Sequence, residues 1–154
     1  MASGFYKSGF FKLQVDELLS GLRINYDKRI SKVQDTLHMV KNAIESLPEI
    51  SPKSIVDAEK ELRTESGIAV PWPEPRPSKD AKYTVSYAKP TNINVVGSFG
   101  LRTGAKTADS RPVDVAVTMP SSIFQEKDYV NYRYFHKRAY YIACVAAGIQ
   151  ETVN

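Results

Sequence analysis

Apolar residues at three- and four-residue intervals predict helices at the start of the chain. From Tyr6 to Ile24 these residues form a broad stripe, and from Tyr26 to Leu47 they return in alternating steps of three and four. Such alternation is typical of a helix that packs lengthwise on another helix. Pro48 ends the second segment because proline disrupts a helix interior. We therefore expect an antiparallel hairpin of the two helices, or a second helix that docks on a partner.

A short third helix is predicted from Lys53 to Ser66. Ser51 and Pro52 are residue types preferred at an N-cap and at the first helical position. Gly67 is typical of the position just after a helix. The predicted buried side has three residues at helical spacing: Ile55, Ala58 and Leu62.

Four prolines at alternate positions, Pro71 to Pro77, follow in the stretch VPWPEPRPSK. Such a run favours a stiff, extended polyproline-like chain over a helix or a central strand. We expect residues 70–80 to be a linker that lies on the surface and is anchored by Trp72. A ligand for a proline-binding module is the alternative.

Beyond residue 80 the period of the apolar residues changes to two, which indicates strands. KYTVSYAKP predicts a half-exposed strand, INVVGS a buried strand that breaks at Gly97, and PVDVAVTMP a strand that ends at Pro120. A long helix from Tyr129 to about Ile149 follows, with Asp128 as its expected N-cap.

This order of elements predicts an α/β or α+β fold with a helical N-terminal extension. The expected division is a helical extension over residues 1–69, the linker over 70–80 and a further domain over 81–154. The last range holds too few strands to cover its sheet edges, so we expect it to be the N-terminal part of a larger domain. The chain is then expected to be part of a longer protein.

Composition narrows the functional classes only a little. The 154 residues carry 21 Lys and Arg against 17 Asp and Glu, and this mild excess favours contact with polyanions. Cys144 is the single cysteine, so an internal disulfide is excluded and a reducing compartment is expected. The sequence shows no signal peptide and no continuous apolar stretch that could span a bilayer. We expect a soluble intracellular protein without a membrane partner.

The strand VDVAV carries the most specific chemical pattern. Gly97 and Ser98 end the preceding strand, and Asp114 follows on the next one. This arrangement resembles the polymerase beta-like nucleotidyltransferase fold, in which a Gly-Ser turn approaches a phosphate. Two aspartates at alternate positions of one strand lie about 7 Å apart and suit a pair of divalent ions.

Ala116 stands where the second carboxylate of such a pair belongs. A methyl group cannot ligate Mg²⁺, so we expect no metal site, no cofactor and no catalysis, with Gly97, Ser98 and Asp114 as remnants. The alternative is an active nucleotidyltransferase whose acidic ligand has moved, for example to Asp109.

Four quoted segments carry a resemblance to a known family: FKLQVDELL, VPWPEPRP, VVGSFGLRT and the long run VDVAVTMPSSIFQEKDYVNYRYFHKRAYYIACVAAGIQ. Together they resemble the N-terminal region of the Nrap family, the nucleolar RNA-associated proteins of the small-subunit processome. The resemblance extends from about Phe11 to Gln150 and is weakest between Pro48 and Gly67. It implies a partial nucleotidyltransferase-like fold in a non-catalytic scaffold of small ribosomal subunit biogenesis. It also implies a location in the nucleus, within the nucleolus, and three kinds of partner: other processome proteins, precursor ribosomal RNA and small nucleolar RNA.

Two groups of basic residues are candidates for nucleic-acid contact. The first lies in the loop after Gly97 and Ser98, and the second lies within the aromatic stretch NYRYFHKRAYY: Arg102, Lys106 and Arg111, then Arg133, Lys137 and Arg138. Solvated loop charges and ordinary packing explain the same residues, so both interpretations stay open. A third possibility is that the N-terminal helices form a protein-docking module without RNA.

Overall fold

A computed structural model describes residues 9–104 and 112–153 and contains both helices and strands, which confirms the predicted α+β class. The helices are α1 (Gly9–Leu22), α2 (Tyr26–Ser46), α3 (Ile55–Ser66), α4 (Gly97–Gly100) and α5 (Arg133–Val153). The strands are β1 (Ile50–Lys53), β2 (Val85–Tyr87), β3 (Asn92–Val96) and β4 (Asp114–Thr118), and short 3₁₀ turns span Ser121–Ile123 and Glu126–Tyr129. No helix within the described ranges is long and apolar enough to cross a membrane.

The chain divides into two compact units. The first unit comprises the described residues of 1–34 and 94–116, and the second comprises those of 35–93 and 117–154. In the second unit, β1 and α3 share a core with β2 and α5.

The second unit holds the buried core. β1 and β2 pair antiparallel, with Ile50 opposite Tyr87 and Lys53 opposite Val85. The ring of Tyr141 on α5 lies 4.8 Å from that of Tyr87, and its hydroxyl donates to the carbonyl of Ala88 at 3.0 Å. The other buried core residues come from α3, α5 and the segments between them: Ile55, Ala58, Leu62, Val70, Ile123, Ala139, Tyr140, Ala143, Cys144 and Ala147.

The prediction for the start of α3 is wrong by two residues. Ser51 and Pro52 lie in β1, and the helix begins at Ile55 with Ser54 as its N-cap, whose hydroxyl accepts from the Asp57 N–H at 3.2 Å. A cap needs extended backbone just before the helix, and Ser54 supplies it with ψ of 154°. At the other end Gly67 adopts the predicted left-handed conformation, with φ of 72°.

The predicted start of the last helix is also wrong. Asp128 lies in the 3₁₀ turn Glu126–Tyr129, where its carboxylate accepts from the Gln125 N–H at 2.7 Å, so it caps this turn instead of α5. Asn131 and Tyr132 then take positive φ values of 57° and 61°. This left-handed pair interrupts the helical path, and α5 begins only at Arg133.

The proline-rich segment contains no helix or strand, as predicted. Trp72 is half-buried and packs edge-on against the ring of His136, which is buried in α5. The Nε2 of His136 lies 2.9 Å from the carbonyl oxygen of Pro75, and its Nδ1 lies 2.5 Å from the Tyr83 hydroxyl. A carbonyl can only accept, so Nε2 donates to Pro75. The segment is therefore attached to the core near its middle.

The first unit buries none of the residues for which burial is described. α1 buries none of its residues, and Phe10 is 71% exposed, so the apolar packing expected of a hairpin with α2 is not seen among the residues for which burial is described. β3 pairs with β4 in a two-stranded sheet, but its Val95 and Val96 are exposed and not buried as predicted.

Candidate functional site

The Gly-Ser turn and the aspartate that the sequence singles out lie together in the first unit. β3 ends at Val96, and Gly97 has φ of 69°, in the left-handed region. A Cβ on residue 97 would collide with the Asp114 carboxylate and would lie 3.2 Å from the Asp114 Cγ. Glycine is therefore required at this position for both its conformation and its close approach to β4.

The exposed face of β4 carries a single carboxylate. Asp114 and Ala116 are both exposed, while Val113, Val115 and Val117 are half-buried on the other face, as the alternation of VDVAV predicts. In the described ranges, no cluster of three or more His, Cys, Asp or Glu residues is arranged to hold a metal ion. Asp109, the alternative acidic ligand, lies outside the described residues.

The loop after Ser98 folds back and is held by Tyr26 at the start of α2. The N–H of Gly104 donates to the Tyr26 hydroxyl at 3.0 Å, and the Tyr26 ring contacts that of Phe99 edge-on at 5.9 Å. Within the loop, the N–H of Thr103 donates to the Ser98 carbonyl at 3.0 Å. This packing fixes the position of Arg102, which is exposed and has φ of 54°.

The basic candidates of this loop are only partly described. Arg102 is exposed and belongs to the first unit, whereas Lys106 and Arg111 lie outside the described residues. Their proposed contact with nucleic acid therefore stays a prediction.

Lys137 must be withdrawn as a candidate for nucleic-acid contact. It is 6% exposed, and its Nζ lies 2.6 Å from a carboxylate oxygen of Asp128 and donates to the Ile123 carbonyl at 2.7 Å. A buried ammonium with these two partners has no free face for a phosphate. The ion pair instead joins α5 to the 3₁₀ turns that precede it.

The two arginines on either side of Lys137 differ in exposure. Arg133 is half-buried, with its guanidinium 5.2 Å from the centre of the Tyr83 ring in a cation–π contact. Arg138 is exposed on α5 and stays a candidate.

An aromatic surface, which the sequence indicates only as a run of rings, precedes and begins α5. Phe124, Tyr129 and Tyr134 stack on one another with centroids 5.5–6.3 Å apart. Tyr134 meets Phe135 edge-on, and Phe135 contacts Tyr132. Tyr129 is 72% exposed and Tyr132 54% exposed, so this surface offers open ring faces. The left-handed residues Asn131 and Tyr132, which could not be read from the sequence, come directly before the helix that carries Tyr134 and Phe135.

The other titratable groups of α5 belong to the core. Burial raises the pKa of the Cys144 thiol to about 11, and burial likewise raises the pKa of Tyr140 and Tyr141. A thiol that keeps its proton in this way is a poor nucleophile, so Cys144 packs as a small apolar residue.

Comparisons with known proteins agree with the resemblance. The chain is 33% identical to U3 small nucleolar RNA-associated protein 22 of Saccharomyces cerevisiae, covering 90% of this chain and 11% of that protein. It is 34% identical to nucleolar protein 6 of Mus musculus and 32% identical to that of Homo sapiens, in each case covering 92% of this chain and 12% of the relative. The chain thus spans about a tenth of the length of these curated relatives.

The names of these relatives agree with the predicted location in the nucleolus. The family model described as Nrap protein domain 1 matches residues 52–154. That range is more than half of the sequence and includes Gly97, Asp114 and the whole of α5. The chain therefore belongs to the Nrap family.

Proposed function

We propose that this chain is a non-catalytic part of a scaffold protein of the small-subunit processome. The scaffold would act in the nucleolus, in precursor ribosomal RNA processing, through contacts with RNA and with other processome proteins. Membership of the family and the names of the relatives, which are nucleolar and U3 small nucleolar RNA-associated proteins, support this proposal.

The single carboxylate on β4 carries the non-catalytic part of the proposal. Asp114 and Ala116 lie on the same exposed face, next to the Gly97 turn, where two carboxylates would be needed to hold two divalent ions. One carboxylate compensates too little charge for a pair of Mg²⁺ ions and supplies too few oxygen ligands.

An incorporation assay tests this part directly. The chain and the longest available version of its parent protein are incubated with labelled nucleotides, an RNA primer and Mg²⁺ or Mn²⁺. We expect no incorporation, and none after Ala116→Asp, because one added carboxylate does not restore the whole ligand set. Incorporation that disappears on Asp114→Ala would refute the proposal and favour an active enzyme with a displaced acidic ligand.

Contact with RNA is proposed at two places, one in each unit. Arg102 in the first unit and Arg138 in the second expose guanidinium groups that can pair with phosphates. Lys106 and Arg111 are proposed to extend the first place, on the sequence pattern alone.

Ultraviolet crosslinking of the parent protein in cells, with crosslinked peptides identified by mass spectrometry, tests these contacts. Crosslinks to RNA within residues 97–112 or 127–142 are expected. Crosslinks to protein neighbours alone would favour a purely protein-docking module, and the aromatic surface of Tyr129, Tyr132 and Phe135 is then the place to look for them.

A further inference from the structure

A polar cleft in the first unit brings together two arginines from distant parts of the sequence. It has a volume of about 420 Å³, and its lining comes from the end of α1, the start of α2 and the loop after α4: Ser20, Arg23, Ile24, Asn25, Tyr26 and Arg102. Arg23 and Arg102 are both exposed at this cleft. The sequence alone gives no reason to associate them.

The walls of the cleft are built by specific contacts. The Tyr26 hydroxyl accepts from the Gly104 N–H, and the edge-on contact with Phe99 holds the other side of the same loop. A Cβ on Gly104 would lie 3.1 Å from both Ile24 Cδ1 and the Tyr26 hydroxyl, so the loop passes close to the start of α2. These contacts hold Arg102 at the cleft.

The described charges at the cleft are both positive. Among the residues whose side chains the structure describes, its lining includes two guanidinium groups and no carboxylate. Over the described ranges, neither arginine forms an ion pair with an Asp or Glu residue. A guanidinium presents several N–H donors in a plane, which matches the oxygens of a phosphate. The hydroxyl of Ser20, which also lines the cleft, donates to the Glu17 carbonyl at 2.8 Å, so the two guanidinium groups are the donors on which the proposal depends.

We propose that this cleft binds a phosphate group, held between Arg23 and Arg102. The group could belong to the backbone of an RNA strand or to a mononucleotide, since the two offer the same oxygens. The RNA source rests on the proposed function, whereas the preference of the cleft for a phosphate does not.

Titrations followed through arginine side-chain N–H signals in NMR spectra test the proposal. The probes are inorganic phosphate, adenosine monophosphate and a twelve-nucleotide oligouridine without a terminal phosphate. We expect the signals of Arg23 and Arg102 to shift with inorganic phosphate, while that of Arg63, an exposed arginine of α3, stays in place. A shift with oligouridine identifies the backbone as a source, and a shift with the monophosphate but not with oligouridine identifies a mononucleotide.

Substitutions complete the test. Arg23→Gln and Arg102→Gln should each lower the affinity for the bound probe about three- to tenfold, and Arg63→Gln should not. If oligouridine is the ligand, each of the two variants should also reduce its salt-dependence slope by about 0.7. Arg102→Lys keeps the charge but loses the planar set of donors, so it should retain only part of the affinity.

The proposal would be overturned by unchanged signals of Arg23 and Arg102 with all three probes, or by an equal loss of affinity in the Arg63 variant. An Arg23→Gln/Arg102→Gln double variant that binds inorganic phosphate as tightly as the unaltered chain would likewise refute the cleft, while the RNA contact proposed at Arg138 would be unaffected. Nucleotide incorporation, by contrast, would refute the proposed function without bearing on the cleft.

Discussion

In the second unit the ammonium group of Lys137 lies buried between Asp128 and the Ile123 carbonyl, whereas in the first unit the guanidinium groups of Arg23 and Arg102 are exposed at a cleft. All three cations look alike in the sequence. The second unit has a buried core, and its Lys137 is buried beside that core in an ion pair. The first unit has no buried residue among those for which burial is described.

The difference shows that the availability of a cation depends on what surrounds it and not on its spacing in the sequence. A basic residue next to a core can be buried when a carboxylate beside it forms an ion pair with it. A basic residue in a unit without a core keeps its charge available to solvent and to ligands.

The largest effect is expected from replacing the buried cation. Lys137→Met leaves the Asp128 carboxylate buried without its partner and should lower the free energy of unfolding by about 3–5 kcal/mol. Arg102→Met, the same change in the first unit, should alter it by less than about 0.5 kcal/mol. Urea unfolding of the two variants measures both values.

A second variant covers the case in which Lys137→Met does not fold. Asp128→Asn combined with Lys137→Met removes both charges and should recover part of the lost stability. Equal effects of Lys137→Met and Arg102→Met would contradict the comparison between the two units.

Alkaline pH is expected to lower the free energy of unfolding by a smaller amount, through the Cys144 thiol in the core of the second unit. The unfolded chain ionises its thiol near the ordinary pKa of 9.0, while burial raises the pKa of Cys144 to about 11 in the folded state. The unfolded state therefore loses this proton first, and stability is full below pH 9 and falls as the pH rises towards 11. The loss should reach about 2–3 kcal/mol.

Urea midpoints measured between pH 8 and pH 10 test this dependence. Cys144→Ala should flatten the curve up to about pH 10, above which the buried tyrosines Tyr140 and Tyr141, whose pKa values are raised, add a decline of the same sign. If the urea midpoint of the Cys144→Ala variant falls with pH as steeply as that of the unaltered chain, other groups cause the pH dependence.

Two glycines allow the units to be compared at a single backbone conformation. Gly97 and Gly67 have φ of 69° and 72°, but a Cβ at Gly67 meets open space and one at Gly97 meets Asp114. Gly67→Ala should cost about 1 kcal/mol, and Gly97→Ala about 2 kcal/mol. Hydrogen exchange of amides in each unit measures the local stability. Adding Asp114→Ala to Gly97→Ala should remove the additional loss of stability that Gly97→Ala shows relative to Gly67→Ala. If this additional loss persists, the collision with the Asp114 carboxylate is not its cause.

The smallest predicted effect tests whether Ser54, the observed N-cap of α3, or Ser51, the N-cap expected from the sequence, stabilises the helix. Ser54→Ala removes the acceptor for the Asp57 N–H and should cost about 1 kcal/mol. Ser51→Ala changes an exposed position of β1 and should stay within about 0.5 kcal/mol. Thermal unfolding of the two variants distinguishes them, and a reversed order would restore the original prediction.

Patterns with a local cause were predicted well. The bounds of α2 agree to within one residue, and the buried side of α3 is the one that its spacing indicates. Gly97 and Asp114 were identified because a Gly-Ser turn followed by an acidic strand is specific, and the structure brings them into contact.

Features that depend on distant partners were not predicted. β1 contains a proline and pairs with β2, far along the chain, so its own four residues carry almost no strand signal. The burial of Lys137 requires Asp128 to approach across a turn with two left-handed residues, and no propensity predicts such a pair. The cleft joins Arg23 to Arg102 through the packing of Tyr26, which is likewise a tertiary contact.

The contact of His136 with Pro75 also changes how the long connection between α3 and β2 should be understood. Residues 67–84 contain no helix or strand, and an unattached loop of this length is uncommon in a compact domain. Attachment near its midpoint divides it into two short loops, each closed on the core separately. Chain-closure entropy then applies to each half alone, so an added residue on one side of Pro75 would leave the other half undisturbed.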